Sequence, residues 1–138
     1  NITYLSYASE TRMAFLQHIG LSHRDLQNKG IGPIVFNEEL FYFKEVMPDD
    51  KIRVSFELAG MSEEGTFFSF EHNFFNQEGQ NVARCEMMGA WMNLKTRKLY
   101  VLPQDIISQF EASNKTLSFK KLTASDTRKH GKTPKDLK

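Results

Sequence analysis

The stretch from Ile52 to Leu94 most limits what this chain can become. Ile52, Val54, Phe56 and Leu58 alternate with Arg53, Ser55 and Glu57, and Phe68, Phe70, His72 and Phe74 alternate with Ser69, Glu71 and Asn73. Patterning of period two belongs to strands with one buried face. A further strand is expected over residues 82–94, and residues 34–47, rich in Phe, Tyr, Val and Ile, read as the strand that precedes the set. The links are short. Met47-Pro48-Asp49-Asp50, residues 62–65, and residues 76–80 with Gly79 all have turn composition. Links of this length join antiparallel neighbours, because parallel ones need long crossovers. The expectation is a four-stranded antiparallel sheet whose apolar face needs a cover.

The cover is the first segment. Tyr4, Tyr7, Ala8, Thr11, Phe15, Leu16 and Ile19 fall on one face at i, i+3, i+4, i+7 spacing, and Gly20 supplies a stop. A second helical turn is expected over residues 22–28, with Ser22 as cap and Asp25 in the first turn. Gly30, Gly32 and Pro33 break any helix there. Leu102-Pro103 opens a short helix that runs to Phe110. From residue 113 the chain is rich in Lys, Ser and Thr, which reads as an appended, partly ordered basic tail. The architecture implied is α+β, a curled sheet around one long helix, with a domain over residues 1–112 and a tail over 113–138.

With 138 residues, 40% apolar and 25% charged, the chain is an ordinary globular domain that can bury one core. Most of its 12 Phe fall between Phe36 and Phe75, so a core or a pocket is rich in phenyl rings. The single cysteine, Cys85, forms no internal disulfide, which fits a reducing, cytoplasmic setting. No run of 18 apolar residues exists to span a membrane. Residues 1–113 carry 10 basic and 15 acidic side chains, whereas residues 114–138 carry 8 and 2. That basic tail suits phosphates or an acidic carrier, but it lacks the interleaved aromatics of a nucleic-acid binder beyond Phe119.

Several motifs in order resemble one family. Asn1-Ile2-Thr3-Tyr4-Leu5-Ser6-Tyr7 with Glu10-Thr11-Arg12 is similar to the start of the long helix in hotdog-fold acyl-CoA thioesterases, the 4-hydroxybenzoyl-CoA thioesterase-like or thioesterase-like superfamily. Gly30-Ile31-Gly32-Pro33-Ile34-Val35 and Phe41-Tyr42-Phe43-Lys44-Glu45-Val46 resemble its second strand, and Pro48-Asp49-Asp50 resembles the turn that follows. Trp91-Met92-Asn93-Leu94, Arg97-Lys98-Leu99 and Leu102-Pro103 resemble the last strand and its exit. The resemblance spans residues 1–112. It implies hydrolysis of acyl thioesters of coenzyme A or of acyl carrier protein, with no metal or redox cofactor. It also implies a homodimer or homotetramer with sites at the subunit interface.

The resemblance places the catalytic Asp in the loop before the long helix, upstream of Asn1, acting on water or on the thioester. The thioester oxygen is then held by backbone N–H groups around Ile2, Thr3 and Tyr4, with Asn1 as a polar neighbour. Glu10 lies about 10 Å or more into the helix and does not substitute for that acid. The family's first strand is likewise expected upstream.

Each candidate has a plainer alternative. Asn1 and Tyr4 are either site residues or a cap and a core aromatic. Arg12 either meets a phosphate or is a solvated or salt-bridged helix residue. Glu38 and Glu39 point to opposite faces of a strand, so one faces inward or toward a partner. His72 reads as a buried, satisfied histidine, and Cys85 as a small buried residue. His18 and His23 share no helical face and form no zinc set. The competing functions are a non-catalytic acyl-binding scaffold and a hotdog dehydratase. The dehydratase signature has no counterpart here, since Gly32-Pro33 runs in the reverse order.

Overall fold

A computed structural model describes residues 2–137, with side chains from Tyr4 onward. Helix α1 (Ile2–His18) leads into α2 (His23–Lys29), which Ser22 caps as expected: its hydroxyl accepts from the Asp25 N–H at 3.1 Å while Asp25 accepts from the Ser22 N–H at 2.9 Å. Strands β1 (Ile31–Tyr42), β2 (Arg53–Val54), β3 (Glu57–Met61), β4 (Phe67–Phe75), β5 (Asn81–Asn93) and β6 (Lys98–Leu99) follow. Helix α3 (Gln104–Glu111), strand β7 (Lys115–Lys121) and a short 3-10 helix (Ala124–Arg128) complete the chain. The sheet runs β1-β5-β4-β3-β7, antiparallel except for the last pair.

The inner face of the sheet holds the core. Phe68, Phe70, Phe74 and Trp91 are each at most 1% exposed, so these Phe-rich strands serve packing rather than line an open channel. Phe110 of α3 closes the cluster, and Phe15 of α1 stacks on Phe56 at 4.0 Å between centroids. Ala8 and Leu16 of α1 are buried on this face, together with Ile19 just beyond its end. Tyr7, expected there, is 42% exposed instead.

Three local departures from the expected pattern have physical causes. First, β1 begins at Ile31 and passes through Pro33, because it is an edge strand on which a missing N–H costs little. It ends at Tyr42, leaving residues 43–52 irregular. Second, the strand expected over residues 52–58 is interrupted at Ser55. There the Ser55 hydroxyl accepts from the Asn73 N–H at 2.9 Å, and the Ser55 carbonyl is taken by the His72 ring at 3.0 Å. Register holds across the break, from Val54↔Phe74 to Glu57↔Glu71. Third, β1 bulges between Val35 and Asn37, opposite Gly89. A Cβ on Gly89 would lie 2.2 Å from the Ile34 carbonyl oxygen, so only glycine admits this crossing.

The segment after residue 113 is more ordered than expected. β7 pairs in parallel with β3 at Leu58↔Lys115, Gly60↔Lys120 and Met61↔Lys121, and the residues between arch away, with Leu117 fully exposed. Leu122 is buried against Gly60, where a Cβ would meet it at 2.9 Å. Asp126, 5% exposed, draws in Lys120 at 2.6 Å and Lys129 at 2.8 Å. Two of the tail's lysines thus share one carboxylate, leaving the trio with a net charge of +1. Lys120, Lys129 and Thr123 hold the Asp126 carboxyl well below the usual carboxylate range.

Candidate functional site

The amino end of α1 presents the first backbone N–H groups of the long helix. The first N–H groups of any α-helix lack an acceptor within the helix, and α1 has no acidic residue in its first turn to occupy them. Asn1 lies outside the described residues, as do the side chains of Ile2 and Thr3, so of the expected site residues Tyr4 is the one whose surroundings can be read. Its ring meets Phe74 edge-on at 4.9 Å and Tyr42 edge-on at 5.7 Å. Burial, and then the neighbouring Tyr42, push its phenol above the ordinary range and keep it neutral.

A cavity of about 430 Å³ lies beside these turns. Tyr4 and Tyr7 of α1 form one wall, and Val46, Met47, Pro48 and Ile52 the other, with Asp50 among them. The second wall comes from the irregular segment after β1, which the sequence marks only as a turn. Asp50 organises it: its carboxylate accepts from the Met47 N–H at 2.8 Å, and the Asp50 N–H donates to the Met47 carbonyl at 3.0 Å. The approach of this segment to α1 is a tertiary contact with no local signature.

Farther along α1 a partly buried polar cluster joins the helix to three strands. Arg12 donates through Nη2 to Glu38 Oε2 at 3.1 Å and through Nε to His72 Nε2 at 3.3 Å. His72, fully buried, turns its Nδ1 to the Ser55 carbonyl at 3.0 Å. Those two bonds define the neutral tautomer protonated at Nδ1. Burial is the main force holding its pKa down to about 4, with the Arg12 charge adding to it. Cys85 lies 3.7 Å from Glu38 Oε2 and is buried. Burial, then Glu38, push its thiol up to about 12.

Arg12 is therefore salt-bridged, His72 is a satisfied buried histidine, and Cys85 is a small buried residue, the plainer alternative in each case. Glu38 is the member of its pair that faces inward, and Glu39 faces out. Neither Arg12 nor Glu38 lines the cavity at the helix start. His18 and His23 are both exposed, and among the described residues no three His, Cys, Asp or Glu side chains converge as a metal set.

Comparison with known proteins locates this geometry in a family. The family model of the thioesterase-like superfamily matches residues 1–110. No curated protein matches the chain. Among solved structures, a Staphylococcus aureus protein in complex with CoA superposes with a TM-score of 0.75 at 18% identity, over 85% of this chain and 75% of its own. A 1,4-dihydroxy-2-naphthoyl-CoA thioesterase from Synechocystis superposes at 0.68 and 18% identity, over 80% of this chain and 80% of its own. A gentisyl-coenzyme A thioesterase superposes at 0.66 and 19% identity, over 78% and 82%. At such identities the likeness is one of fold, the hotdog fold of a curled, unclosed sheet around a long helix.

Proposed function

Since the chain belongs to the thioesterase-like superfamily, we propose that it hydrolyses an acyl thioester of coenzyme A or of acyl carrier protein at the amino end of α1. The observation that carries this is the cavity opening beside the first turn of α1, a turn that has no acidic side chain of its own to occupy its donors. The thioester carbonyl accepts from the N–H groups around Ile2, Thr3 and Tyr4, with Asn1 as a polar neighbour. Developing negative charge on that oxygen strengthens those bonds, so the arrangement favours the tetrahedral state over the ground state. An Asp preceding Asn1 takes a proton from water as its oxygen attacks the carbonyl carbon. The C–S bond then breaks, and the thiolate leaves with a proton to give free thiol and acid. No metal or redox group enters this scheme.

Residues 1–112 form the hydrolytic domain in this reading, and 113–138 an appended basic segment. The protein works as a homodimer or homotetramer in the cytoplasm. Support for assembly comes from β1, a 12-residue edge strand with no partner beyond it among the described strands and with Val35, Phe36 and Phe41 exposed. Long apolar edges of this kind are normally covered. A lone buried cysteine suits the cytoplasm. Among the described residues no helix is long and apolar enough to cross a membrane.

The alternative is an acyl-binding scaffold without turnover, in which the same cavity holds an acyl group and no acid activates water. The deciding measurement is thiol release by the full-length protein on a panel of acyl-CoAs and acyl carrier proteins, beside a variant with the upstream Asp changed to Asn. Turnover lost in the variant supports hydrolysis. Folded protein that turns over no thioester leaves the scaffold.

A further inference from the structure

We propose that the cavity at the start of α1 admits uncharged acyl groups and discriminates against those ending in a carboxylate, with Asp50 as the discriminating residue. This rests on the hydrolase reading above and specifies its substrate class. Apart from Asp50, the described lining consists of two phenol rings, aliphatic side chains and a thioether, and it contains no Lys, Arg or His. The two residues ahead of Tyr4, Ile2 and Thr3, bring no charge either. The other ionisable groups of the segment are Lys44, Glu45, Asp49 and Lys51, none of which lines the cavity; with Asp50 they leave the segment at a net charge of −1. A carboxylate entering the cavity would find no cation to replace the water it loses, and it would face a fixed anion. A neutral acyl chain gains from apolar contact with the same walls.

Asp50 is a fixed feature of the wall, because the Met47 N–H holds its carboxylate at 2.8 Å. At a separation of about 6 Å and an effective dielectric of about 60, two such anions repel by a factor of about five in affinity. Asp50→Asn removes the charge, keeps the size, and retains an oxygen to accept from Met47.

The test compares butyryl-CoA with succinyl-CoA, which share a four-carbon acyl chain and differ in a terminal carboxylate. Thiol release by the full-length protein gives kcat/KM for each. The parent should favour butyryl by about tenfold or more, and Asp50→Asn should narrow that ratio about fivefold, with a smaller change in high salt. The ratio is the readout because general damage to the fold lowers both rates together. Equal use of both thioesters by the parent, or an unchanged ratio in Asp50→Asn, overturns the inference and leaves hydrolysis standing. If neither thioester is turned over, the hydrolase reading fails separately. Calorimetry with the S-butyl and S-(3-carboxypropyl) thioethers of CoA then decides selectivity: a preference for the first that Asp50→Asn weakens supports it, and no preference overturns it.

Discussion

His72 should make this protein lose stability between pH 6.5 and pH 4, before most carboxylates titrate. The ring is fully buried, its Nδ1 proton is given to the Ser55 carbonyl, and its Nε2 accepts from Arg12. A second ring proton would displace the Arg12 bond and place two cations together in the core. The folded-state pKa is accordingly depressed from 6.5 to about 4. Above pH 6.5 the ring is neutral in both folded and unfolded chains and contributes no slope. As pH falls below 6.5 the unfolded chain takes up a proton that the folded one refuses, and stability declines until the folded ring titrates near pH 4. Each unit of pKa is worth about 1.4 kcal/mol, so the full loss is about 3 kcal/mol and the part between pH 7 and pH 5 about 2 kcal/mol. With a urea slope of about 2 kcal/mol/M, the midpoint falls by about 1 M over that interval. The assay is urea unfolding at pH 7, 6 and 5 for the parent and for His72→Gln, which keeps a donor and an acceptor but does not titrate. His18, His23, His130 and the carboxylates are common to both and cancel in the difference. Parallel curves would refute the reasoning. If His72→Gln does not fold, an NMR titration of the His72 ring in the parent decides, and a midpoint near 6.5 refutes it.

Three further outcomes follow from the same geometry. Gly89→Ala should cost about 3 kcal/mol or more, because its Cβ would press on the Ile34 carbonyl oxygen at 2.2 Å and on the Phe68 ring at 2.9 Å, neither of which is free to yield; parent-like thermal unfolding would show that β1 can shift without cost. Glu86 has its pKa raised by burial and by Glu71 opposite, so the folded state binds its proton more tightly and the ionised group destabilises the fold at neutral pH. Glu86→Gln should therefore raise the melting point at pH 7, by an amount that shrinks as pH falls through the carboxylate range; a lowered melting point at pH 7 would count against it. Cys85, buried and with its thiol pushed up to about 12, should resist a thiol reagent in the native protein at pH 8 and react at once in denaturant; rapid native labelling would disprove its burial.

Much of the fold is legible because its signals are local. The Ser22–Asp25 cap, the alternation of β4 and the helix after Leu102 each depend on residues within a few positions of one another. The misses share the opposite property. That Arg12 is salt-bridged is among the expected readings, but its partners, Glu38 and His72, lie 26 and 60 residues away and spacing alone does not name them. β7 was obscured by its lysines, and its anchor, Leu122, is one apolar residue that needs Gly60 opposite to seat it. The break at Ser55 is invisible in an alternating sequence, since it arises when a neighbouring histidine claims one carbonyl. The candidate site divides in the same way: the start of α1 is legible in the sequence, but the approach of residues 46–52 to it is not.

The two clusters of the core bear on the place proposed for the site. The larger cluster grips α1 through Phe15 and Leu16, and the smaller one, built on Ala8, Phe74, Val82, Ala83 and Cys85, reaches Tyr4 only as a partly buried neighbour. Packing therefore weakens toward the amino end of the helix, leaving room there for a ligand. A looser end would also be a poorly aimed set of donors, since placements of about 1 Å matter for catalysis. Two contacts oppose that. Arg12, about 12 Å along the helix from Tyr4 at 1.5 Å per residue, ties the shaft to β1 and β4 through charged and neutral partners at once. Tyr4 then fixes the first turn by edge-on contact with Phe74 and Tyr42. The helix is thus held on both sides of the buried Ala8, so the cavity can be open while the first turn beside it stays in place.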